Sequence, residues 1–387
     1  MNWPAYAQQA YTLPAAAPPA RILLISTRQI GDALLTTPLL RTLRRAWPNA
    51  QIDALVLCGK GEILAGNPDL ATVLCVPEKP RVREHWALLK KVWRRYDLAI
   101  STLSGDRPSL YAWAAAAQRV GIVPPPEPGQ GFWKRWLFQG WTALDDRDTP
   151  TVIQNLRLAD VLGIARDYTV VLPEQPDSAA RLDALLPFAW RDTPYAVLHL
   201  APMWTYKRWT LSGWASLANQ LQQRGWQLIL SGGPGAEEQA YLRAALTQGP
   251  PGMHNLAGQL RFADLGLLLQ HSRLYVGPDT AVTHLAAASG CPTVALFGPT
   301  NPLKWAPWPH AFASDACPVQ RIGTFQRQGN LALVQGVADC VPCHQEGCDR
   351  HRASHSRCLD ELAGATVIQA VDRLLRALAA ETPDKTA

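Results

Sequence analysis

The chain alternates short, continuous apolar runs with stretches whose apolar residues recur at helical spacing. Arg21 to Ser26, "RILLIS", is a β-rich apolar run that ends in polar residues and then Gly31-Asp32, after which Leu34, Leu35, Leu39 and Leu43 recur near helical spacing. This predicts a strand, a turn and a helix. Ala50 to Cys58 and Tyr96 to Ser101 supply further strands, with helical material between them. Alternation of this kind implies a parallel sheet covered on both faces by helices.

The pattern breaks between Pro173 and Pro194, where "PEQP", a predicted helix and "WRDTP" read as a linker. It then restarts. Tyr195 to Leu200, Trp226 to Ser231, Arg273 to Gly277 and Pro292 to Gly298 read as buried strands, with Leu211 to Arg224 and Thr280 to Ser289 as helices. From Ala365 to Ala380, Val367, Ile368, Val371, Leu374, Leu375 and Leu378 predict an amphipathic helix that closes the fold. The expected organisation is a disordered leader over 1–20, an α/β half over 21–188 and a second α/β half over 189–387.

Composition narrows the class. A chain of 387 residues, 48% of them hydrophobic, can bury a substantial core and suggests two domains. The excess of 37 Lys and Arg over 31 Asp and Glu gives a formal charge of +6, which suits either simple solubility or anionic partners such as phosphates or an acidic membrane surface. No segment approaches the roughly 18 apolar residues of a membrane span, and the Ala- and Pro-rich first twenty residues lack the basic start and apolar core of a secretory signal. A cytoplasmic protein is therefore expected, and its eight cysteines are expected to be thiols or metal ligands rather than disulfides.

The candidate chemistry gathers at the predicted strand-to-helix turns. In "GPDTAVTHLAAASG", Gly277 to Gly290, a helix beginning at Thr280 would offer free N–H groups and a positive dipole end to an anion such as a diphosphate. Asp279 would repel phosphates, so a binding role for it lies with sugar hydroxyls. Asp279 or Thr280 equally suits a helix N-cap, and His284 suits a packed helix position as well as a ligand contact.

The longer segment "GPDTAVTHLAAASGCPTVALFGPTNP", followed by Trp305 and Trp308, resembles the signature of the family 9 glycosyltransferases, among them the bacterial lipopolysaccharide heptosyltransferases. At the amino end "RILLISTRQIGDALLTTPLLRTLRRAWPNAQIDALV" is similar to the family's first strand, Gly-Asp turn and first helix, with the Thr-Thr-Pro variant of its heptosyltransferase III branch. The resemblance implies a GT-B architecture, two Rossmann-like domains facing across a cleft, the amino half holding the acceptor and the carboxyl half the nucleotide sugar. It further implies inverting transfer of L-glycero-D-manno-heptose from ADP-heptose to the lipopolysaccharide inner core.

Residue by residue, the resemblance makes Asp32 the general base that takes the acceptor hydroxyl's proton, a task that needs a carboxylate within hydrogen-bond reach. Asp32 also suits a cap after Gly31. The chain has no obvious Asp-x-Asp metal motif, and Lys207 in "HLAPMWTYKRW" matches a family lysine that contacts the donor phosphates. Together with the amides of Thr280 and Ala281 it could stand in for a metal, giving metal-independent transfer. Pro202-Met203 replaces a Thr-Thr pair found in some relatives, with Thr205 as a substitute hydroxyl. Glu237 in "LSGGPGAEEQ" matches a glutamate that accepts from the ribose hydroxyls, with Glu238 as its neighbour. Asp279, Thr280, Ala281 and His284 complete the expected donor-binding set.

Cys340, Cys343, Cys348 and Cys358, with His344, His351 and His355 interspersed, have spacing compatible with structural zinc, with disulfides or with unlinked thiols; an iron–sulfur cluster is a further alternative. Arg81 to Arg95 and Phe132 to Trp141 are basic and aromatic, which suits either a solvated helix face or a peripheral site on the inner membrane, where a lipid A-core acceptor resides. Two other functions stay open: a family 9 enzyme with a different nucleotide sugar, and a basic nucleic-acid-binding protein with a zinc module. The second lacks the paired Cys and His spacing of a finger, and no nucleic-acid partner is expected. A dinucleotide oxidoreductase is disfavoured because the first βα turn lacks Gly-x-Gly-x-x-Gly.

Overall fold

Continuous apolar runs can be buried on both faces only in a parallel sheet sandwiched between helix layers. The computed structural model, which describes residues 8–12, 18–125 and 131–381, contains two such sheets. It divides into two units, 1–173 with 313–315 and 174–312 with 316–387.

The first unit's strands are β1 (Gln8–Gln9), β2 (Arg21–Ser26), β3 (Gln51–Leu57), β4 (Thr72–Val76), β5 (Tyr96–Ser101), β6 (Ala116–Val123) and β7 (Gly140–Ala143). Its helices are α1 (Ile30–Leu34), α2 (Thr37–Ala46), α3 (Val82–Val92), α4 (Asp106–Ala115), α5 (Phe132–Leu137) and α6 (Thr151–Val161). The sheet order is β1-β7-β6-β5-β2-β3-β4, parallel throughout except for β1 at the edge. Alternate residues of β2 feed two cores: Leu23 and Ile25 pack with α3 and α4, and Ile22 and Leu24 with α2 and α6. The period of two in side-chain direction thus places helices on both faces.

Three expectations change here. The leader read as disordered contributes Gln8 and Gln9, which pair with Thr142 and Trp141, and Tyr11 donates its N–H to the Val161 carbonyl. Residues 1–7 and 13–17 of that leader lie outside the described residues. The expected single helix after Gly31-Asp32 is two, because the Thr36 and Thr37 hydroxyls donate to the carbonyls of Ala33 and Leu34 and Pro38 starts a new turn. Cys58 and Cys75 form a disulfide rather than remaining thiols: Val56 pairs with Cys75 across β3 and β4, and that register brings the two Cα atoms to 4.8 Å.

The second unit comprises α7 (Ser178–Leu185), β8 (Tyr195–His199), α8 (Leu211–Gln223), β9 (Gln227–Ser231), α9 (Ala236–Gln248), β10 (His254–Asn255), α10 (Phe262–His271) and β11 (Leu274–Pro278). It continues with α11 (Ala281–Ala288), β12 (Thr293–Phe297), α12 (Pro302–Trp305), β13 (Phe325–Gln328), β14 (Leu331–Gln335), α13 (Arg357–Asp360) and α14 (Gly364–Glu381). Its sheet order is β10-β9-β8-β11-β12-β14-β13. Helix α7, expected as part of a linker, docks on α10 through Arg181, which donates to the buried Asp264 at 3.0 Å. The division therefore falls after Pro173, earlier than the expected boundary at 188. The closing helix α14 buries Val367, Val371 and Leu374 against the α8 side of the sheet.

At the end of β11, Tyr275 crosses beneath the backbone to reach the Thr283 hydroxyl at 2.8 Å. A Cβ on Gly277 would lie 2.2 Å from the Tyr275 hydroxyl, so only glycine fits without breaking that link between strand and helix. Gly277→Ala is expected to lower stability by about 1–3 kcal/mol, read as a shift of the urea midpoint with an unchanged slope.

Candidate active site

In open α/β sheets the ligand crevice forms outside the carboxyl ends of the strands where the strand order reverses, because consecutive helices there diverge to opposite faces. In the first unit the reversal lies between β2 and β5, and in the second between β8 and β11. The candidate residues follow these strands.

Asp32 lies in α1, just after β2. Its carboxylate accepts from the Gln29 N–H at 3.2 Å, so it caps the helix, and Arg28 stands 3.8 Å from its other oxygen. Capping and a basic role are compatible here, because the cap uses one oxygen and the carboxylate has four lone-pair directions. The sequence reading missed Ser26 at the end of β2, whose hydroxyl is buried without a hydrogen-bond partner among the described residues.

In the second unit a short 3-10 turn, Thr205–Lys207, follows β8, and Asp279 follows β11. Lys207 Nζ meets Asp279 Oδ2 at 2.5 Å and the Asp279 carbonyl at 3.2 Å, with both side chains largely buried. Two of the ammonium's three N–H donors are thereby directed. The stacked rings of Trp204 and Tyr206 lie 5.3 and 5.9 Å from Nζ, and Arg352 covers the Trp204 ring. No sequence spacing signals this stack, because Arg352 arrives from far along the chain.

Thr280 is the N-cap of α11 and accepts from the Thr283 N–H. The first-turn N–H groups of Ala281 and Val282 have no acceptor within the helix. His284 is buried behind the Lys207–Asp279 pair, and its Nδ1 lacks a hydrogen-bond partner among the described residues. Burial, with Asp279 opposing and Lys207 adding, pushes it down to about 4, so the ring is neutral.

The two adjacent glutamates separate by direction. Glu238 turns inward and accepts from the Gly233 N–H at 2.6 Å, and burial raises its carboxyl. Glu237 turns outward, exposed, and pairs with Arg208 at 2.8 Å. Thr205 begins the turn that carries Lys207, while Met203 is solvent-exposed.

The C-terminal cysteines belong to a loop that braces this region. The Ser356 hydroxyl donates to the Tyr206 carbonyl at 2.6 Å, beside Lys207. Cys340, Cys343, Cys348 and Cys358 line one cavity of about 230 Å³. Yet among the described residues no three His, Cys, Asp or Glu side chains are grouped to hold a metal ion, so the zinc expectation finds no support. The thiols sit at different depths: Cys340 and Cys348 are exposed, whereas Cys358 enters the apolar core, where burial, then its three neighbours, push its thiol up to about 12. An Asp-x-Asp spacing overlooked in the sequence, Asp146-Arg147-Asp148, forms an exposed turn after β7 in which Asp145 accepts from the N–H groups of Arg147 and Asp148.

Two Rossmann-like sheets in one chain, each with charged residues at its strand-order reversal, match the GT-B architecture. The model for "Glycosyltransferase family 9 (heptosyltransferase)" matches residues 86–318. Lipopolysaccharide heptosyltransferase 3 of Escherichia coli K12 is 30% identical over 73% of this chain and 83% of its own length. Among solved structures, a family 9 glycosyltransferase from Veillonella parvula superposes with a TM-score of 0.73 at 18% identity, covering 92% of this chain and 97% of that one. The E. coli ADP-heptose lipopolysaccharide heptosyltransferase II gives 0.69 at 21%, covering 94% and 100%. The chain belongs to glycosyltransferase family 9.

A pH dependence follows from the buried histidines. His199, bonded to Ser231 at 3.1 Å, is also pushed down by burial to about 4. Below the ordinary value of 6.5 the unfolded chain binds protons that the folded chain does not, so stability falls as pH drops toward 4. Each histidine is expected to cost about 2 kcal/mol at pH 5 relative to pH 7. Urea unfolding at both values checks this, with the difference shrinking in His284→Asn.

Proposed function

We propose that the protein transfers L-glycero-D-manno-heptose from ADP-heptose to the inner core of lipopolysaccharide, with inversion at the anomeric carbon and without a catalytic metal. The observation that carries this reading is the Lys207–Asp279 pair at the strand reversal of the second unit, beside the start of α11. Family membership and the heptosyltransferase relatives support this sugar and this acceptor.

In this reading the second unit holds the donor and the first unit the acceptor. Asp32 accepts the proton of the attacking acceptor hydroxyl. That oxygen forms a bond to the anomeric carbon from the face opposite the diphosphate, the glycosidic C–O bond breaks, and its electron pair leaves with ADP. Charge develops on the departing phosphate oxygen, where the third N–H of Lys207 and the amides of Thr280 and Ala281 stabilise it. A fixed ammonium and helix amides supply the positive potential that a divalent cation would otherwise give, hence the metal independence. Asp279 holds Lys207 and accepts from a sugar hydroxyl, neutral His284 packs behind the pair and offers its free nitrogen, and Glu237 accepts from the ribose hydroxyls. The enzyme works in the cytoplasm at the inner membrane, where lipid A-core acceptors are anchored.

Calorimetric titration with ADP-heptose, ADP-glucose and UDP-, GDP- and dTDP-sugars, with and without EDTA, tests the donor. Preference for ADP-heptose that chelator leaves unchanged is expected, and preference for another nucleotide sugar would replace the donor while keeping the class. Asp32→Asn is expected to retain donor affinity and to slow transfer at least about a hundredfold. Near-normal turnover would remove Asp32 from the role. Lys207→Ala is expected to weaken ADP binding and to lower kcat by about a hundredfold or more; unchanged kinetics would assign the lysine to folding alone.

A further inference from the structure

Seven large apolar side chains of the first unit are exposed on three helices that cover one face of its sheet: Val82, Trp86 and Trp93 on and just after α3, Leu110 and Trp113 on α4, and Trp133 and Trp136 on α5. On α3 the positions 82, 86 and 93 fall within about 40° of one another at 100° per residue, so they form one stripe. The helices are joined side by side. Trp93 meets Trp113 edge to face at 5.6 Å, the Tyr111 hydroxyl bonds His85 at 3.0 Å, and Lys134 of α5 pairs with Asp106 of α4 at 2.7 Å. Trp136 is 85% exposed and Trp86 59%, so both indoles leave most of their apolar surface in water.

Charge selects the partner. Between Arg81 and Arg95 the sequence has six basic residues and one acid, Glu84, whose carboxylate caps the Arg81 N–H at 2.6 Å. Arg83 and Lys90 flank the apolar stripe, and the Arg94 guanidinium lies over both Trp93 and Trp113. Lys134, in contrast, turns inward, donates to the Ser104 carbonyl and pairs with Asp106, so it adds no outward charge. Two copies of this face would bring like charges together. A nucleic-acid backbone would leave Val82, Leu110 and Trp136 in water. An anionic bilayer surface satisfies both chemistries, since basic side chains meet headgroup phosphates while indoles and aliphatic groups enter the headgroup boundary.

We infer that the α3–α4–α5 face is a membrane-docking surface for an anionic lipid bilayer, with Trp86, Trp93, Trp113 and Trp136 as interfacial anchors and Arg83 and Lys90 as the electrostatic contact. The choice of a bilayer rests in part on the proposed lipid-linked acceptor.

Cosedimentation of the full chain with phosphatidylcholine vesicles, alone or doped with phosphatidylglycerol, tests it. Binding to the anionic vesicles that weakens with salt is expected, and Trp86→Ser with Trp136→Ser, or Arg83→Glu with Lys90→Glu, should each lower the partition coefficient at least about tenfold. ADP binding and transfer to a deacylated, water-soluble acceptor should stay unchanged in these variants, which separates this surface from the catalytic reading. Wild-type protein that ignores anionic vesicles, or variants that bind as well as wild type, would overturn the inference. So would a dimer that the tryptophan substitutions dissociate, or RNA binding that they abolish. Vesicle binding without any transfer would overturn the catalytic reading and leave the docking surface standing.

Discussion

Lys207 and Asp279 meet because the strand order of the second sheet reverses between β8 and β11. A parallel sheet places every strand's carboxyl end on one edge, and the reversal sends the following segments to opposite faces, leaving room between them. The chain uses that room for a charged pair that would be costly elsewhere in the interior. The partners direct one another. Asp279 orients the ammonium through its carboxylate and its own carbonyl, and the ammonium neutralises the buried acid.

Much of the second unit supports this pair without touching it. Tyr275 ties β11 to α11 through Thr283, which requires the bare backbone of Gly277. The cysteine-containing loop reaches back to the segment that carries Lys207 through Ser356 and Arg352. In the first unit Asp32 is fixed in a similar way, by capping its own helix, so a short turn holds the carboxylate with little freedom to lose.

The alternating pattern was legible where strands were apolar and helices amphipathic: β2, β5, β8, β9, β11 and α14 all stand near their expected ranges. Short or polar elements were not. β10, only two residues long, offers no periodicity to read. The candidate residues were named from motif and resemblance, and Lys207, Asp279, Thr280 and His284 do gather at one place. What they do to each other was hidden, since a pairing across seventy-two positions has no local signature. Glu237 and Glu238 show the limit well: adjacent acids in one helical turn look alike in sequence, and only the fold turns one inward to Gly233 and the other out to Arg208.

The sequence by itself determined two α/β halves, the turns that carry Asp32, Lys207 and Asp279, and membership in a family defined by those turns. These properties are local, fixed by periodicity and by residues close together in the chain. Tertiary structure alone decided that Cys58 and Cys75 join, that the four later thiols sit at different depths, that Lys134 faces inward and that Trp93 meets Trp113. Each of these depends on which distant segments pack together, and hydrophobic burial sets that packing without leaving a mark on any single stretch of sequence.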